Sequence, residues 1–275
     1  MCPHAGRAIL AVMPADPENA RVIERHDIHE DLAVFAIAPA DGSDAPDFAP
    51  GQYATLGLPD PAHSTADRVK LIRRMYSIAS PATRQDRLEF YIVRVDGGAL
   101  TPSLFDLAAG DRLHMSGRCG GHFTLSEHAA GKTLVLVGTG TGTAPYRSML
   151  HTHRDDPPWD HLVLIEGCRL ARDLGYRAEF EALAETDERF TYLPTVTREP
   201  DDSDWPGLRG RVPALLEADR FRELTGRELA PDSAHVYLCG NPAMIDQCEA
   251  DLLNRGFVTQ DRKHPEGNLH FERYW

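Results

Sequence analysis

Short apolar stretches separated by turn residues dominate the first half of the chain. Each stretch has the length of a β-strand and is bounded by clusters of Gly, Pro or Asp. The stretches lie at residues 32–37, 48–56, 75–79, 88–95 and 112–116. Many short strands with turn signals are typical of an antiparallel barrel or sandwich. The polar segment 58–70 is expected to form a long loop between two of these strands.

Strand-like and helix-like segments alternate in the second half of the chain. Continuous apolar runs predict strands that are buried on both faces, at residues 133–137, 162–165, 190–196 and 236–238. Helices are predicted between and after them, at residues 145–154, 176–185, 211–218 and 242–254. This alternation is typical of a doubly wound parallel α/β fold. We therefore predict two domains, an antiparallel β-barrel over residues 1–127 and a parallel α/β domain over residues 128–275.

Composition narrows the class of protein. The chain has 275 residues, a length that fits about two domains. Its net charge of −13 makes it a poor candidate for nucleic-acid binding, which needs clustered Lys and Arg. No apolar run reaches the roughly 18 residues that a membrane-spanning helix needs, so no membrane association is expected.

Cysteine usage points to the compartment. The five cysteines form no CxxC pattern and no metal-ligand spacing, so we expect no metal site and a reducing, cytoplasmic environment. The apolar run near the N-terminus is too short and too soon interrupted for a signal peptide. A monomer is expected.

A glycine-rich turn follows the first buried strand of the second half, with the sequence V-G-T-G-T-G-T-A-P-Y over residues 137–146. Glycine lets a backbone approach a ligand closely, and a helix N-terminus favours phosphate. The run departs from the G-x-G-x-x-G fingerprint, because Thr143 stands where the third glycine is needed. By itself the segment fits a ligand-binding turn and an ordinary strand–helix turn equally well.

Three further segments carry side chains suited to a flat, phosphorylated ligand. R-M-Y-S at residues 74–77 offers a guanidinium fork for a diphosphate, an aromatic face and a short hydroxyl. Cys239 begins C-G-N-P at the carboxyl end of a predicted buried strand, where open α/β sheets bind ligands. The chain ends in Tyr274 and Trp275, although termini are usually frayed. Taken singly, each segment also fits a structural explanation: an exposed strand, a buried cysteine before a turn, or a tail packed on the core.

The four motifs occur together and in the order found in one family. From about Arg21 to Trp275 the chain resembles the bacterial ferredoxin/flavodoxin–NADP⁺ reductases, and most closely their branch that ends in Tyr-Trp. The resemblance implies an FAD-binding barrel domain, an NADP-binding α/β domain, and an aromatic tail that returns to the flavin. It implies an enzyme that exchanges electrons between NADPH, which gives a hydride to flavin N5, and a one-electron carrier such as ferredoxin or flavodoxin.

The resemblance also implies roles for individual residues. The catalytic residues would be Ser77, Cys239, Glu272 and Tyr76. FAD would be held by Arg74, Met75, Tyr76, Ser77, Tyr91, Ile92, Val93, Arg94, Ala99, Leu100, Thr101, Thr141, Tyr274 and Trp275. NADP would be held by Gly140, Gly142, Cys168, Arg169, Thr197, Arg198 and Arg211. Within the FAD set, Arg74 is expected at the pyrophosphate, Tyr76 on the isoalloxazine ring and Ser77 near N5.

Charge distinguishes the two nicotinamide cofactors. The 2′-phosphate of NADP carries charge that arginine can meet bidentately, and Arg169, Arg198 and Arg211 all lie near predicted strand ends. Glu166 stands close to one of these ends and could instead hold a ribose diol, as in NAD sites. The three arginines together outweigh the one glutamate and favour NADP. Any one of these arginines alone would be explained equally well as a solvated surface charge.

Two segments depart from the family's pattern. Loop 58–70 is longer than is usual in the family, and residues 199–206 place acidic side chains between Arg198 and Arg211.

The charge of the chain bears on docking of a partner protein. The family's partners are typically acidic, so the net charge of −13 opposes docking at long range. A local basic patch beside the flavin could still steer docking, and its candidate members are Arg68, Lys70, Arg73 and Arg74.

Two alternatives stay open. The first is an NADH-preferring reductase component of an oxygenase system, in which the absence of C-x₄-C-x₂-C spacing excludes a fused iron–sulfur module but not an external carrier. The second is a non-catalytic flavin- or nucleotide-binding module. Reduction of the flavin by NADPH separates an enzyme from such a module, and a preference for NADPH or NADH separates the two enzymes.

Overall fold

Six antiparallel strands build the first half of the molecule in the computed structural model, which describes residues 17–65 and 68–274. They are β1 (Ala20–His29), β2 (Leu32–Pro39), β3 (Tyr53–Pro59), β4 (Leu71–Ser77), β5 (Leu88–Val93) and β6 (Arg112–Met115). A short helix, α1 (Thr101–Phe105), follows β5. The strand order is β4-β3-β6-β1-β2-β5. A bridge between Ile78, just after β4, and Phe90 in β5 brings the two outer strands together and closes the sheet into a barrel.

The alternation of side chains along these strands fills the barrel. Phe35 and Ile37 on β2, Leu56 on β3 and Phe90 on β5 have no exposed surface and point into one core. The predicted antiparallel half is therefore confirmed, although strand bounds shift by several residues and β1 was not predicted as a strand. The predicted long loop joins β3 to β4 and contains an isolated bridge between residues 65 and 68.

Six parallel strands build the second half. They are β7 (Thr133–Thr139), β8 (His161–Cys168), β9 (Phe190–Val196), β10 (Leu208–Arg209), β11 (Ala234–Gly240) and β12 (Leu269–Arg273). The strand order is β10-β9-β8-β7-β11-β12. Every residue of β8 and β11 is buried, as their continuous apolar runs indicated. The winding direction reverses between β7 and β11, so the carboxyl ends of these two strands form the switch point of the sheet.

Helices cover both faces of this sheet. They are α2 (Ala144–Thr152), α3 (Arg177–Thr186), α4 (Val212–Leu215), α5 (Ala218–Thr225) and α6 (Pro242–Asn254). Leu134 and Leu136 on β7 pack on the α2 and α3 side, whereas Val135 and Val137 pack on the side of α4 to α6. The prediction of one helix over 211–218 is wrong, because Glu217 has extended backbone and separates α4 from α5. No helix in the described ranges is long and apolar enough to cross a membrane.

The two halves meet on the α2 and α3 side of the parallel sheet. Tyr91 on β5 packs against Tyr176 with ring centres 4.6 Å apart. Arg147 on α2 reaches across to Glu89 on β5 at 2.9 Å and also pairs with Glu179 on α3 at 2.8 Å. These contacts fix the barrel beside the carboxyl ends of the parallel strands.

A buried histidine pair fastens β12 to β11 and so holds the C-terminal strand in place. His235 Nδ1 and His270 Nε2 are 3.2 Å apart, and each residue is 5% exposed. The His270 ring stacks on Tyr237 at 4.1 Å. One facing nitrogen must donate and the other accept, so two protonated rings could not form this contact. Burial lowers the pKa of both histidines, with Lys132 and His128 adding to the effect at His235.

We expect this pair to make the fold sensitive to acid. Below pH 6.5, the ordinary pKa of histidine, the unfolded chain takes up protons on His235 and His270, whereas the buried pair in the folded protein does not. The contribution of the pair to the free energy of unfolding is therefore complete above pH 6.5 and falls as the pH drops below it. Urea unfolding near pH 7.5 and near pH 5.5 should show a loss of about 1 kcal/mol for each histidine. His270→Phe keeps a stacked ring without a titrating nitrogen and should lose a large part of this dependence. Equal pH dependence in the two proteins would contradict the assignment.

Candidate functional site

The carboxyl ends of β7 and β11 carry two of the predicted motifs side by side. The glycine-rich run leaves β7 in a 3₁₀ turn over Gly140–Thr143 and continues into α2. A side chain at Gly142 would meet the carbonyl oxygen of Cys239 at 2.5 Å, so this glycine lets the two loops pack. Gly140 has a φ of +54° and open space where a side chain would stand. Of the two glycines predicted at NADP, Gly142 is thus occupied by protein contacts, and Gly140 is open to a ligand.

Four side chains from separate motifs meet beside this switch point. Ser77 at the end of β4, Cys239 on β11, Glu272 on β12 and Tyr274 form one hydrogen-bonded group, here named the Ser77 cluster. The Ser77 hydroxyl donates to Glu272 Oε2 at 3.2 Å and accepts from the Tyr274 hydroxyl at 2.8 Å. The Tyr274 hydroxyl is also hydrogen-bonded to the Cys239 thiol. The cluster therefore joins the barrel to two strands of the parallel sheet.

Strand pairing makes Cys239 and Glu272 neighbours although they are far apart in the chain. In the parallel pairing of β11 with β12, Cys239 is the register partner of Glu272. The backbone N–H of Tyr274 donates to the carbonyl of Gly240 at 3.1 Å, which extends the pairing past the end of β12. Trp275, predicted to contact FAD, lies outside the described residues.

Burial shifts the cluster toward uncharged side chains. Burial raises the pKa of Glu272 above its usual value, and the hydrogen bond from Ser77 opposes part of this shift. Burial and the nearby Glu272 carboxyl raise the pKa of the Cys239 thiol, so no thiolate nucleophile forms here at neutral pH. The cluster can therefore orient a bound ring and hold a proton on Glu272 at a higher pH than an exposed glutamate would.

β4 carries the other predicted residues of the R-M-Y-S motif. Arg74 pairs with Leu56 and Tyr76 with Ala54 on β3, so Arg74 and Tyr76 share one face of the strand. Arg74 is exposed, Met75 is 63% exposed and Tyr76 is half-buried. Burial raises the pKa of the Tyr76 hydroxyl to about 12, so its ring stays neutral. The strand thus offers a guanidinium group and an aromatic ring on one face, and the next residue, Ser77, turns its hydroxyl to the Ser77 cluster on the other.

The remaining predicted FAD contacts are divided between buried and accessible positions. Tyr91, Ile92 and Leu100 are at most 3% exposed and pack into the barrel core or the contact between the two halves. A ligand could meet these three mainly through backbone atoms. The predicted contacts that keep accessible surface are Val93, Arg94, Ala99, Thr101 and Thr141.

The three arginines predicted to contact NADP, of which Arg198 and Arg211 were expected at its 2′-phosphate, gather beyond the carboxyl ends of β8 and β9. The Arg198 N–H donates to the Arg169 carbonyl at 2.8 Å, and Thr197 binds the Cys168 carbonyl through both its N–H and its hydroxyl. The pairing of β10 with β9 brings Arg211 to the same edge. Arg169, Arg198 and Arg211 are exposed, and none forms a salt bridge with any other residue that the structure describes. Because these three guanidinium groups lack salt-bridge partners among the described residues, they are suited to bind an anion.

The acidic segment 199–206 is held by contacts of its own. The Glu199 carboxylate accepts the N–H of Ala171 at 2.6 Å, and Arg209 donates to the carbonyl of Glu199 at 2.7 Å. Trp205 is 8% exposed and lies under the Arg177 guanidinium at 4.6 Å. The carboxylate nearest Arg198 in the chain is therefore bound to backbone, which leaves the arginine free for an anion.

Glu166 lies inside the molecule, where it cannot reach a ribose at the sheet edge. It has no exposed surface, and its carboxylate is hydrogen-bonded to the Tyr192 hydroxyl and, at 3.4 Å, to Thr143 Oγ1. Its position therefore does not support the alternative in which Glu166 holds the ribose of NAD. Tyr192 and Thr143 were not among the predicted site residues, because their spacing in the chain does not show that both face Glu166.

Tyr146 is a further residue whose importance the sequence motif did not reveal. It has no exposed surface, and its hydroxyl lies 2.9 Å from the Val137 carbonyl and 2.8 Å from the Tyr237 carbonyl. The hydroxyl thereby bridges β7 and β11 at the switch point. A tyrosine in the first turn of the helix that follows the glycine-rich loop was the available signal.

Comparisons with known proteins agree with this architecture. Residues 19–124 match the oxidoreductase FAD-binding domain family, and residues 136–250 match the oxidoreductase NAD-binding domain family. The chain is 34% identical to ferredoxin–NADP reductase B of Sorangium cellulosum over 263 residues, 96% of this chain and 100% of that protein. It is 32% identical to the flavodoxin/ferredoxin–NADP reductase of Escherichia coli K12 over 228 residues, 83% of this chain and 88% of that protein. A similar solved structure is a ferredoxin NADP⁺ reductase from Neisseria gonorrhoeae with bound FAD and NADP, with a TM-score of 0.81 and 24% identity over 93% of this chain and 98% of that one.

Proposed function

The chain belongs to the ferredoxin/flavodoxin–NADP reductase family of FAD- and NAD(P)-binding oxidoreductases, and on that premise we propose that hydride passes between NADPH and FAD at the Ser77 cluster. One observation carries this proposal: Ser77 from the barrel meets Cys239 and Glu272 from the parallel sheet at the joint of the two halves. A flavin held by the barrel and a nucleotide held at the sheet edge would both reach this point. We place the boundary between the FAD domain and the NADP domain at residues 127 and 128, between β6 and β7.

The barrel offers the groups that FAD requires. Arg74 forms no salt bridge within the described part of the chain and is available to the pyrophosphate. The half-buried ring of Tyr76 gives the isoalloxazine a flat surface, and the Ser77 hydroxyl follows at its edge. FAD, when bound, supplies the hydride-accepting N5 and the one-electron chemistry that side chains lack.

The residues of the cluster then orient the rings and hold a proton. Tyr274 occupies the position between Ser77 and Cys239, so a nicotinamide that reaches Ser77 has to displace the tyrosine side chain. The thiol of Cys239, which is buried and protonated, would provide an uncharged surface beside the nicotinamide. Glu272, whose pKa is raised by burial, exchanges a proton with its surroundings, whereas hydride transfer itself needs no general base.

NADPH is the nucleotide that the charge distribution supports. The exposed arginines Arg169, Arg198 and Arg211 have no carboxylate partners among the described residues, and two of them can meet the 2′-phosphate. Glu166, the residue that could have favoured NAD, is buried beneath the Gly140–Thr143 turn. The turn itself, open at Gly140, would lie along the nicotinamide half of the nucleotide.

An acidic one-electron carrier, ferredoxin or flavodoxin, is the proposed partner. Arg68 and Lys70 are exposed just before β4, Arg73 is exposed on β4 next to Arg74, and none of the three forms a salt bridge with another described residue. The net charge of −13 opposes approach of an acidic protein from a distance. Since screening limits that repulsion to about 8 Å in physiological salt, the local positive patch decides docking at contact.

The proposed function is tested by anaerobic titration of the purified protein with NADPH and, separately, with NADH, followed by visible absorbance. We expect a yellow protein whose flavin is bleached by NADPH at a concentration at least about ten-fold lower than by NADH. A preference for NADH would overturn the 2′-phosphate site and favour a reductase of the oxygenase type. A protein that cannot be reconstituted with FAD would overturn the proposed function as a whole.

A further inference from the structure

A buried carboxyl group lies directly beneath the turn that the proposed function assigns to the nucleotide. Glu166 on β8 has no exposed surface. One carboxylate oxygen accepts the hydroxyl of Tyr192 on β9, and the other lies 3.4 Å from Thr143 Oγ1 in the turn. The side chain therefore connects the interior of the sheet to the loop above it.

No positive charge among the described residues pairs with this carboxyl group. Its neighbours from the packed elements are uncharged at neutral pH: Tyr192 on β9, Cys168 on β8, Tyr91 on β5 and Tyr176 before α3, besides Thr143. The Arg147 guanidinium is stacked on the Tyr176 ring at 4.8 Å and is paired with Glu89 and Glu179. Glu166 forms no salt bridge in the described part of the chain. Burial raises the pKa of Glu166 to about 7, although the hydrogen bonds from Tyr192 and Thr143 oppose the shift.

The turn above Glu166 is held from below at both ends. Thr143 Oγ1 lies 3.1 Å from the Gly140 carbonyl and so closes the turn on itself. The Gly140 N–H is hydrogen-bonded to the Cys168 thiol of β8. Thr143 has no exposed surface, and its methyl group lies so close to Gly138 that a side chain at Gly138 would meet it at 2.9 Å. The side-chain contribution of Thr143 to the turn therefore depends on whether its hydroxyl donates to the Gly140 carbonyl or to Glu166.

Counting protons separates the two states of the carboxyl group. When Glu166 is protonated, the Tyr192 hydroxyl donates to one of its oxygens, the second oxygen donates to Thr143 Oγ1, and the Thr143 hydroxyl donates to the Gly140 carbonyl. When Glu166 is ionised, the Thr143 hydroxyl donates to the carboxylate, and the Gly140 carbonyl keeps only the backbone N–H of Thr143 that the 3₁₀ turn supplies. Ionisation therefore removes the side-chain hydrogen bond that reinforces the turn.

We propose that Glu166 is a positioning residue that carries a proton in the working enzyme and, through Thr143, sets the shape of the Gly140–Thr143 turn against the nucleotide. This inference rests on the proposed function for the location of the nucleotide. The Glu166 proton itself is not transferred in the reaction. Loss of that proton at alkaline pH misplaces the turn and slows hydride transfer.

The test measures FAD reduction by saturating NADPH in the holoenzyme, by stopped flow between pH 6.5 and 9. The wild-type rate should fall about ten-fold across this range with a single-proton transition, whereas Glu166→Gln, which keeps a permanent donor and acceptor, should change less than about two-fold. Tyr192→Phe removes the donor that favours the carboxylate, so its transition should move to higher pH. Identical profiles for the wild type and Glu166→Gln, or a transition that moves to lower pH in Tyr192→Phe, would overturn the proposal.

A second readout is independent of nucleotide and catalysis. A carboxyl group whose pKa is raised on folding loses its stabilising effect as the pH rises from its unfolded value of 4.5 through about 7. The difference in thermal unfolding midpoint between Glu166→Gln and the wild type should therefore widen from pH 5 to pH 8 in favour of the variant. A constant difference would overturn the protonated state of Glu166. If the difference in unfolding midpoint widens but NADPH reduces the flavin in none of the proteins, the proposed function is wrong, whereas the protonated state of Glu166 is supported.

Discussion

Replacing Ser77 by alanine is expected to slow the reduction of bound FAD by NADPH about 100-fold while FAD stays bound, since one precisely placed polar group in a reaction site is typically worth this much. The Ser77 hydroxyl is the only group of the cluster that comes from the barrel, and it connects Glu272 to Tyr274. Its removal leaves the buried Glu272 carboxyl without the donor that lowers its pKa. Stopped-flow absorbance at saturating NADPH measures the rate, and the flavin content of the purified variant measures FAD retention.

Ser80→Ala supplies the matched control. Ser80 is another fully buried serine of the barrel, and its hydroxyl accepts the Glu89 N–H at 3.1 Å, away from the cluster. This variant loses the same oxygen and a comparable hydrogen bond, so it should reduce stability without changing the rate of flavin reduction. Loss of FAD from the Ser77 variant, or a reduction rate equal to that of the Ser80 variant, would show that Ser77 is not at the reacting ring.

The division into a barrel and a parallel α/β half was predictable because each sheet leaves its own pattern. Strands β8 and β11 are buried on both faces, so each contains a run of consecutive apolar residues. β12 was missed because its residues 269–273 mix apolar, basic and acidic side chains. This segment becomes a strand only through its pairing with β11, from which it is separated in the chain by α6 and a connecting segment. Non-local pairing of this kind leaves no local signal.

Each residue of the Ser77 cluster was among the predicted site residues, but Tyr274 was expected as an FAD contact and not with the catalytic residues, and the hydrogen bonds that join the four were not predicted. The motifs suggested Ser77, Cys239, Glu272 and Tyr274 separately, and the register of β11 with β12 brings the last three to one place. Charge counting misjudged Glu166, because a glutamate near a strand end has the same spacing whether it faces solvent or the interior. Its burial follows from the turn packed above it, which depends on contacts between β8 and the Gly140–Thr143 segment.

Replacing Arg198 and Arg211 together by alanine is expected to weaken NADPH binding about 100-fold and to leave NADH binding within about two-fold. A hydrogen bond to a charged group is worth about 1.5–3 kcal/mol, and two such contacts with partial overlap give about 3 kcal/mol, which corresponds to about 100-fold in affinity. The measurement is the dissociation constant of each nucleotide from the spectral titration, together with the KM for each. The effect should appear in KM rather than in the limiting rate of flavin reduction, because the 2′-phosphate lies far from the reacting ring.

The control has to remove the same charge elsewhere, because the chain already carries a net charge of −13. Arg220→Ala with Arg222→Ala does so on α5, where Arg222 is exposed, Arg220 is partly exposed, and both are paired with nearby carboxylates. If this double variant weakens NADPH binding as much as the first, the arginines act through the overall electrostatic field of the protein and not through contact with a phosphate.

If NADH binding falls in parallel with NADPH binding in the Arg198 and Arg211 variant, the two residues hold a part of the nucleotide that both cofactors share. Only a loss confined to NADPH places the 2′-phosphate between the segments that follow β9 and β10, where the pairing of these strands brings the two side chains to one edge.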